Sequence, residues 1–204
     1  MPAKSQHKKT GNHRGRPRAF DESQALYAAI GVFAAKGYEE ASLADLTKAM
    51  GINRFSMYAT FGNKEALFVK ALEQYDQMSS AHLANCLGSG TAREAIEKIL
   101  HSGVEMVTNP ENPGVCFVTQ GPPDASEKTK QLVARKRAAV AKALQHRFDR
   151  AIQEGELPSN ISTENLARFY SVMIQGLALQ AQHGGTKQEL LGVVEVAMEN
   201  WPEP

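Results

Sequence analysis

Cysteine is scarce in this 204-residue chain: Cys86 and Cys116 are the only two, too few for a disulfide framework and in no CxxC or Cys/His spacing that would hold zinc. No apolar run approaches the roughly 18 residues needed to span a bilayer, and the basic start MPAKSQHKKTGNHRGRPR lacks the apolar stretch of a secretory signal. A cytoplasmic protein without a membrane partner is expected. There is no glycine-rich phosphate loop, no Gly-x-Ser-x-Gly elbow and no HExxH. Hence no cofactor and no metal are expected, although a catalytic set assembled from distant residues would leave no motif. What is present is ordinary globular composition, 42% apolar and 22% charged, which excludes disorder for the whole chain.

The net charge of +1 hides an uneven distribution. Residues 1–64 carry +5 and the remainder −4, so a polyanion partner is expected for the first third alone. Residues 1–19 combine Lys, His, Arg, Gly and Pro without apolar periodicity and read as a flexible basic arm.

Beyond the arm the chain reads as helix after helix, with no convincing alternating strand. Leu26, Ala29, Ile30 and Phe33 recur at helical spacing from Asp21 to Lys36, closed by Gly37. Ser42 can cap a second helix, with Asp45 favouring its N-terminus, and Gly51 ends it after about two turns. Asn53 caps a third helix. The short turn between two short helices is helix-turn-helix spacing. Asn63 caps a fourth helix running to about Leu87, and further helices are expected at about 91–108, 114–120, 125–155, 163–183 and 187–200.

The stretch GINRFSMYATFGNKEAL, residues 51–67, breaks two rules of a stable soluble domain. It leaves large aromatics on an exposed turn, and it opens a helix with Lys64, opposing the macrodipole. Met57 and Phe61, four apart, point inward with Ile52. Arg54, Phe55, Ser56, Tyr58 and Thr60 are left outside, and these residue types suit DNA. Arg forks onto guanine, Ser and Thr bond phosphates or bases, Phe meets a thymine methyl, and Tyr gives its hydroxyl to a phosphate. A phosphate at the fourth helix N-terminus would make Lys64 an asset. The alternatives are packing of Phe55 and Tyr58 against neighbouring helices and a surface ion pair for Lys64.

Residues 22–68, and especially SLADLTKAMGINRFSMYATFGNKEALF, resemble the DNA-binding domain of TetR-family transcriptional regulators. Tyr58, Phe61, Lys64, Glu65 and Leu67 stand at the places of the family's Tyr-x-x-Phe and Lys-Glu-x-Leu, with Gly37 and Tyr38 after the first helix. Ser42 stands where Thr is usual, Thr47 where Ala is usual, and Arg54 and Phe55 where small residues are frequent. The resemblance implies an all-α fold of about nine to ten helices: a helix-turn-helix domain at 20–64 and a ligand-binding and dimerisation domain at 65–204. It also implies a homodimer on a double-stranded DNA operator, with repression relieved by a small-molecule effector. By position, Ser42, Tyr58, Lys64 and Thr60 would contact phosphate, and Arg54, Phe55 and Ser56 would read bases.

In the arm, RGRPR at residues 14–18 has the Gly-Arg-Pro core of an AT-hook. Arg14, Arg16 and Arg18 would then lie along a narrow minor groove, or else be attracted to phosphates without fixed geometry. The helix at 163–183 is apolar around more than half its circumference, and so is the last helix; both need cover on two sides. The resemblance makes the second cover a partner subunit, through Phe169, Leu177, Leu190, Val194 and Trp201. A monomer burying both sides is the alternative. For the pocket implied by the resemblance, the candidates are Met78, His82, Met106, Phe117, Gln120, Tyr170, Met173 and Gln175, all residue types that also serve ordinary cores.

Glu97, His101 and Glu105 are spaced for a metal, but Ile96, Ile99, Leu100 and Val104 occupy the opposite side, so a solvated face is expected. Cys116 has no Lys, Arg or His near it in sequence to lower its pKa, so a buried structural thiol is expected there. An architectural DNA binder and an unrecognised helical enzyme remain competing functions. The enzyme reading leaves the basic arm and the NRFSMYATF helix without a purpose.

Overall fold

The computed structural model describes residues 20–109 and 125–204, and every regular element among them is an α-helix. The order is α1 (Glu22–Glu40), α2 (Leu43–Ala49), α3 (Arg54–Phe61), α4 (Lys64–Leu87), α5 (Ala92–Thr108), α6 (Glu127–Gln153), α7 (Thr163–Gln182) and α8 (Lys187–Glu199). The expected helix at 114–120 lies outside the described residues. The all-α expectation holds, with eight helices described against nine to ten expected.

Side-chain chemistry sets the helix starts. Asp21, Ser42, Asn53 and Asn63 each accept a backbone N–H of the following turn, satisfying donors the helix itself leaves open. Ser42 with Asp45, Thr91 with Glu94 and Thr186 with Glu189 complete reciprocal capping boxes. Gly37, at φ 74°, breaks α1 rather than ending it, and one more turn follows to Glu40. Gly51, at φ 65°, closes α2 in a Schellman motif: Ile52 N–H bonds Thr47 O at 3.1 Å and Gly51 N–H bonds Lys48 O at 3.2 Å. A side chain with a Cβ resists that left-handed turn, so Gly51 sets the angle between α2 and α3.

Two apolar cores result. The first joins Ala29, Phe33, Leu46, Met57, Phe61, Leu67, Phe68 and Leu72, and Val133 of α6 enters it. Tyr38 stacks on Phe33 with centroids 5.9 Å apart, and Phe68 meets Phe33 edge-on at 5.4 Å. The second core gathers Cys86, Ile96, Leu100, Leu144, Phe148, Tyr170, Leu190, Val194 and Trp201. Phe148, Tyr170 and Trp201 form its aromatic centre, with centroids 5.7–6.1 Å apart. Helix α4 serves both cores, the first through Leu67, Phe68, Ala71 and Leu72 and the second through Cys86.

Polar ties fix the corners. At the end of α6, Gly155 (φ 76°) again gives a Schellman turn, which carries Glu156 back to the start of α5. There Glu156 accepts Ala92 N–H at 2.7 Å and the buried Arg147 Nη2 at 2.9 Å, while Arg147 also donates to Gly90 O at 2.9 Å. At the start of α6, Ser126 N–H, Ser126 Oγ and Thr129 Oγ1 all donate to Glu65 Oε1 at 3.0, 2.6 and 2.6 Å. No helix among the described residues is long and apolar enough to cross a membrane.

Candidate functional site

On α3, Met57 and Phe61 are buried in the first core, as their spacing predicts, and Ile52 packs beside them. Lys70 Nζ caps the helix end, donating to Thr60 O at 3.0 Å and lying 5.3 Å from the Phe61 ring centroid. The residues turned outward are Arg54, Phe55, Tyr58 and Ala59. Phe55 is 82% exposed and Tyr58 48%. Packing against a neighbouring helix therefore does not account for Phe55. Ser56 and Thr60 are half-buried, and Ser56 N–H is spent on Asn53 Oδ1 at 2.8 Å.

Two of the expected phosphate-contacting side chains already have partners. Ser42 Oγ donates to Asp45 Oδ2 at 2.7 Å and accepts Asp45 N–H at 3.1 Å. Hydrogen bonding from Lys36 and then from Ser42 lowers the Asp45 pKa to about 2, and Lys36 Nζ stands 2.9 Å from the carboxylate. Lys64 is turned away from its own helix N-terminus. Its ammonium donates to Glu39 O at 3.2 Å and lies 4.4 Å from the Tyr38 ring centroid. The cation thus meets the carbonyl end of α1 and a π-face, which offsets its unfavourable place on α4; the sequence reading missed this. An ammonium has three N–H donors, and Glu39 O takes one.

A cavity of about 300 Å³ opens between α4, α5, α6 and α7. A void of about 60 Å³ adjoins it past Tyr75, Ile99, Gly103, Met106 and Ile174. His82, Met106 and Gln175 line the larger cavity. Ser102 Oγ donates to Ile99 O at 3.1 Å and stands 2.9 Å from His82 Nε2. Cys86 Sγ is buried 3.6 Å from the same nitrogen. Gln175 Nε2 donates to Ser171 O at 3.1 Å, and Lys136 pairs with Asp76 across the α4–α6 seam.

Three expected pocket residues lie elsewhere. Met78 is 52% exposed because, at about 100° per residue, it falls some 40° beyond the edge of the lining arc that ends at His82. Tyr170 belongs to the aromatic centre of the second core, where burial pushes its phenol up to about 12. Met173 packs against the same core. Phe117, Gln120 and Cys116 lie outside the described residues, as do Arg14, Arg16 and Arg18 of the arm.

The expected subunit contact also needs correction. Leu177, Leu190, Val194 and Trp201 are buried in the chain's own second core, because α7 and α8 both pack on α5. Phe169 does face outward, at 51% exposure. Its companions are Val172 and Leu179 on α7 and Val193 and Val196 on α8. Phe169, Val172, Gly176 and Leu179 fall within an arc of about 80°, and a Cβ at Gly176 would meet nothing within 4 Å. The outcome is an open apolar strip across two helices.

Among the described residues no group of three His, Cys, Asp or Glu side chains could hold a metal ion. Glu97, His101 and Glu105 are exposed, as expected of a solvated face, and Glu105 pairs with Lys187 at 2.6 Å.

Comparison with known proteins identifies the architecture. Residues 25–71 match the profile of bacterial regulatory proteins of the tetR family. The HTH-type transcriptional repressor ComR of Escherichia coli (strain K12) is 32% identical, with 93% of each chain covered. The HTH-type transcriptional regulator YezE of Bacillus subtilis (strain 168) is 30% identical over 90% of this chain and 97% of its own. Among solved structures, a cysteine mutant of the TetR family transcriptional regulator CifR, in complex with 26 bp double-strand operator DNA, is 37% identical. It superposes with a TM-score of 0.82, covering 92% of this chain and 100% of that one. The chain belongs to the tetR family of bacterial regulatory proteins.

Proposed function

We propose that the protein is a sequence-specific transcriptional repressor that binds a palindromic operator as a homodimer and leaves it when a small molecule occupies the cavity between α4 and α7. The observation that carries this reading is the division of α3: Met57 and Phe61 anchor it in the core while Arg54, Phe55 and Tyr58 stand in solvent. A soluble protein gains nothing by exposing Phe55 unless the ring has a partner, and a thymine methyl is one.

In this reading Arg54, Phe55 and Ser56 read base edges in the major groove. Tyr58, Thr60, Ser42 and Lys64 hold phosphates, Lys64 with the donors that Glu39 leaves unused. The open strip of Phe169, Val172, Leu179, Val193 and Val196 is the subunit contact. Two α3 helices about 34 Å apart would then meet successive major grooves. The operator complex of the related CifR mutant supports the DNA partner, and ComR supports repression rather than activation. The chain performs no catalysis in this reading; its cavity binds an effector, and the protein works on DNA in the cytoplasm.

Effector action follows from linkage. A ligand shifts the protein away from the operator-matching form only by preferring the other form, and a shift from 1:99 to 99:1 needs about 5.5 kcal/mol of preference. The test is selection of bound duplexes from a random pool at fixed salt. A palindromic consensus supports the proposal. Recovery of unselected DNA favours an architectural binder instead, and absence of binding favours the enzyme reading.

A further inference from the structure

The two outward residues that open α3 can each recognise one kind of group. Phe55 is 82% exposed, and its ring carries no polar atom, so in the major groove it distinguishes bases only by apolar contact. On the major-groove edges of the base pairs the one apolar group is the C5 methyl of thymine. Arg54 is also exposed and has no hydrogen-bond or ion-pair partner among the described residues. Lys36, Lys64 and Lys70 in the same domain are all engaged. The forked donors of Arg54 match the paired acceptors O6 and N7 that guanine alone presents.

The two residues are consecutive. Their Cα atoms stand about 3.8 Å apart, close to the step of about 3.4 Å between bases along a strand. At about 100° per residue both side chains leave the helix on one half. Ala59 lies four residues on from Phe55, on the same face, and is also outward; it is too short to hold a base edge away from the ring. Anchored below by Met57 and Phe61, α3 thus turns a guanidinium and a ring toward adjacent base pairs.

We propose that Arg54 and Phe55 read one two-base step, a guanine beside a pyrimidine bearing a C5 methyl, so that a cytosine in the thymine's place is bound well only when methylated at C5. This rests on the reading of α3 as the base-reading helix. Thymine and 5-methylcytosine carry the same methyl group at the same ring carbon. Phe55 has no polar atom with which to tell the O4 acceptor of one from the N4 donor of the other. Without the methyl, the ring faces a bare C5–H edge and loses its contact atoms. The protein is thereby a sensor of cytosine methylation at any site that carries cytosine at this step.

The experiment uses the full chain and the palindromic duplex recovered by selection from a random pool. Each thymine is replaced in turn, in both half-sites, by deoxyuridine, which lacks only the C5 methyl. The dissociation constant is read by fluorescence anisotropy at fixed salt. One thymine per half-site should be sensitive, with a loss of roughly fourfold for each methyl removed and about fifteenfold for the pair. It should adjoin the guanine whose replacement Arg54→Ala tolerates. With cytosine in its place, C5 methylation should restore a similar factor. Phe55→Ser should bind more weakly and lose both methyl effects, whereas Phe55→Leu should keep them, with circular dichroism confirming unchanged helix content in each variant. A consensus without thymine, insensitivity to every deoxyuridine, no gain from cytosine methylation, equal sensitivity in Phe55→Ser, or a sensitive thymine remote from the Arg54 guanine would overturn the proposal and leave the repressor reading standing. Recovery of no consensus from the pool would overturn both.

Discussion

Substitution of Val172 by Glu is expected to split the dimer without unfolding the chain. Val172 is 63% exposed in the single chain, so a Glu there meets solvent and costs the fold little. Full burial of a valine side chain is worth about 1.5–3 kcal/mol, so covering the part still exposed contributes roughly 1–2 kcal/mol. Two-fold symmetry doubles it to about 2–4 kcal/mol per dimer, which is roughly 30-fold to 1,000-fold in dissociation constant. A carboxylate pressed into the same contact adds a desolvation cost of several kcal/mol per ion. A rise of at least about 1,000-fold is therefore expected. Sedimentation velocity over a dilution series would measure it, with circular dichroism confirming unchanged helix content. Leu177→Ala is the contrasting variant. Leu177 lies in the second core, so its truncation should lower folding stability by about 2–5 kcal/mol. A Val172→Glu protein that dimerises as tightly as its parent would refute the strip as the contact.

Tyr58→Phe should weaken binding to all duplexes alike, whereas Arg54→Ala should relax one half-site position by about 1–3 kcal/mol; equal loss at every base would remove Arg54 from the reading set. Glu65 is held below the ordinary glutamate range by hydrogen bonds from Ser126 and then Thr129, so its folded pKa is lower than its unfolded one. The stability it lends is complete above about pH 4.3 and is lost as pH falls through the lowered value. Thermal melts should therefore converge for wild type and Glu65→Gln on acidification; a gap independent of pH would contradict this. Glu156→Gln leaves the buried Arg147 with Glu154, 3.6 Å away. It should cost roughly 2–4 kcal/mol in urea unfolding, less than the loss of a fully buried ion-pair partner. A loss below about 0.5 kcal/mol, the scale of an ordinary surface change, would show that Glu154 suffices.

Local chemistry was legible in the sequence. Ser42, Asn53 and Asn63 cap the helices they were expected to cap, and the inward pair Met57 and Phe61 followed from their spacing of four. What depended on contacts distant in sequence was not. The wide apolar faces of α7 and α8 announced two covers, but periodicity does not say which half faces α5. That is why Leu177, Leu190, Val194 and Trp201 were placed at the wrong cover. Part of the cavity lining escaped for a related reason: a void is set by where side chains fail to meet. The arc of α4 that faces it depends on a rotation of the helix that Met78 does not reveal. Glu65 reaches Ser126 across 61 positions, and nothing in the motif around Glu65 marks its partner.

Helix α4 spans 24 residues, about 36 Å at 1.5 Å per residue, with one end in each core. Its mechanical meaning is that of a lever that can turn at either of its ties to α6, Glu65 at one end or Leu87 O, which accepts from Arg150, at the other. Pivoting at the Glu65 tie by about 5° would carry the far end through roughly 3 Å. The same turn about the cavity end would displace the α3 end by a similar distance, close to one 3.4 Å step along a DNA strand. Two such levers, facing each other across a two-fold axis, would spoil the match to a palindrome with a motion small enough to leave every helix intact.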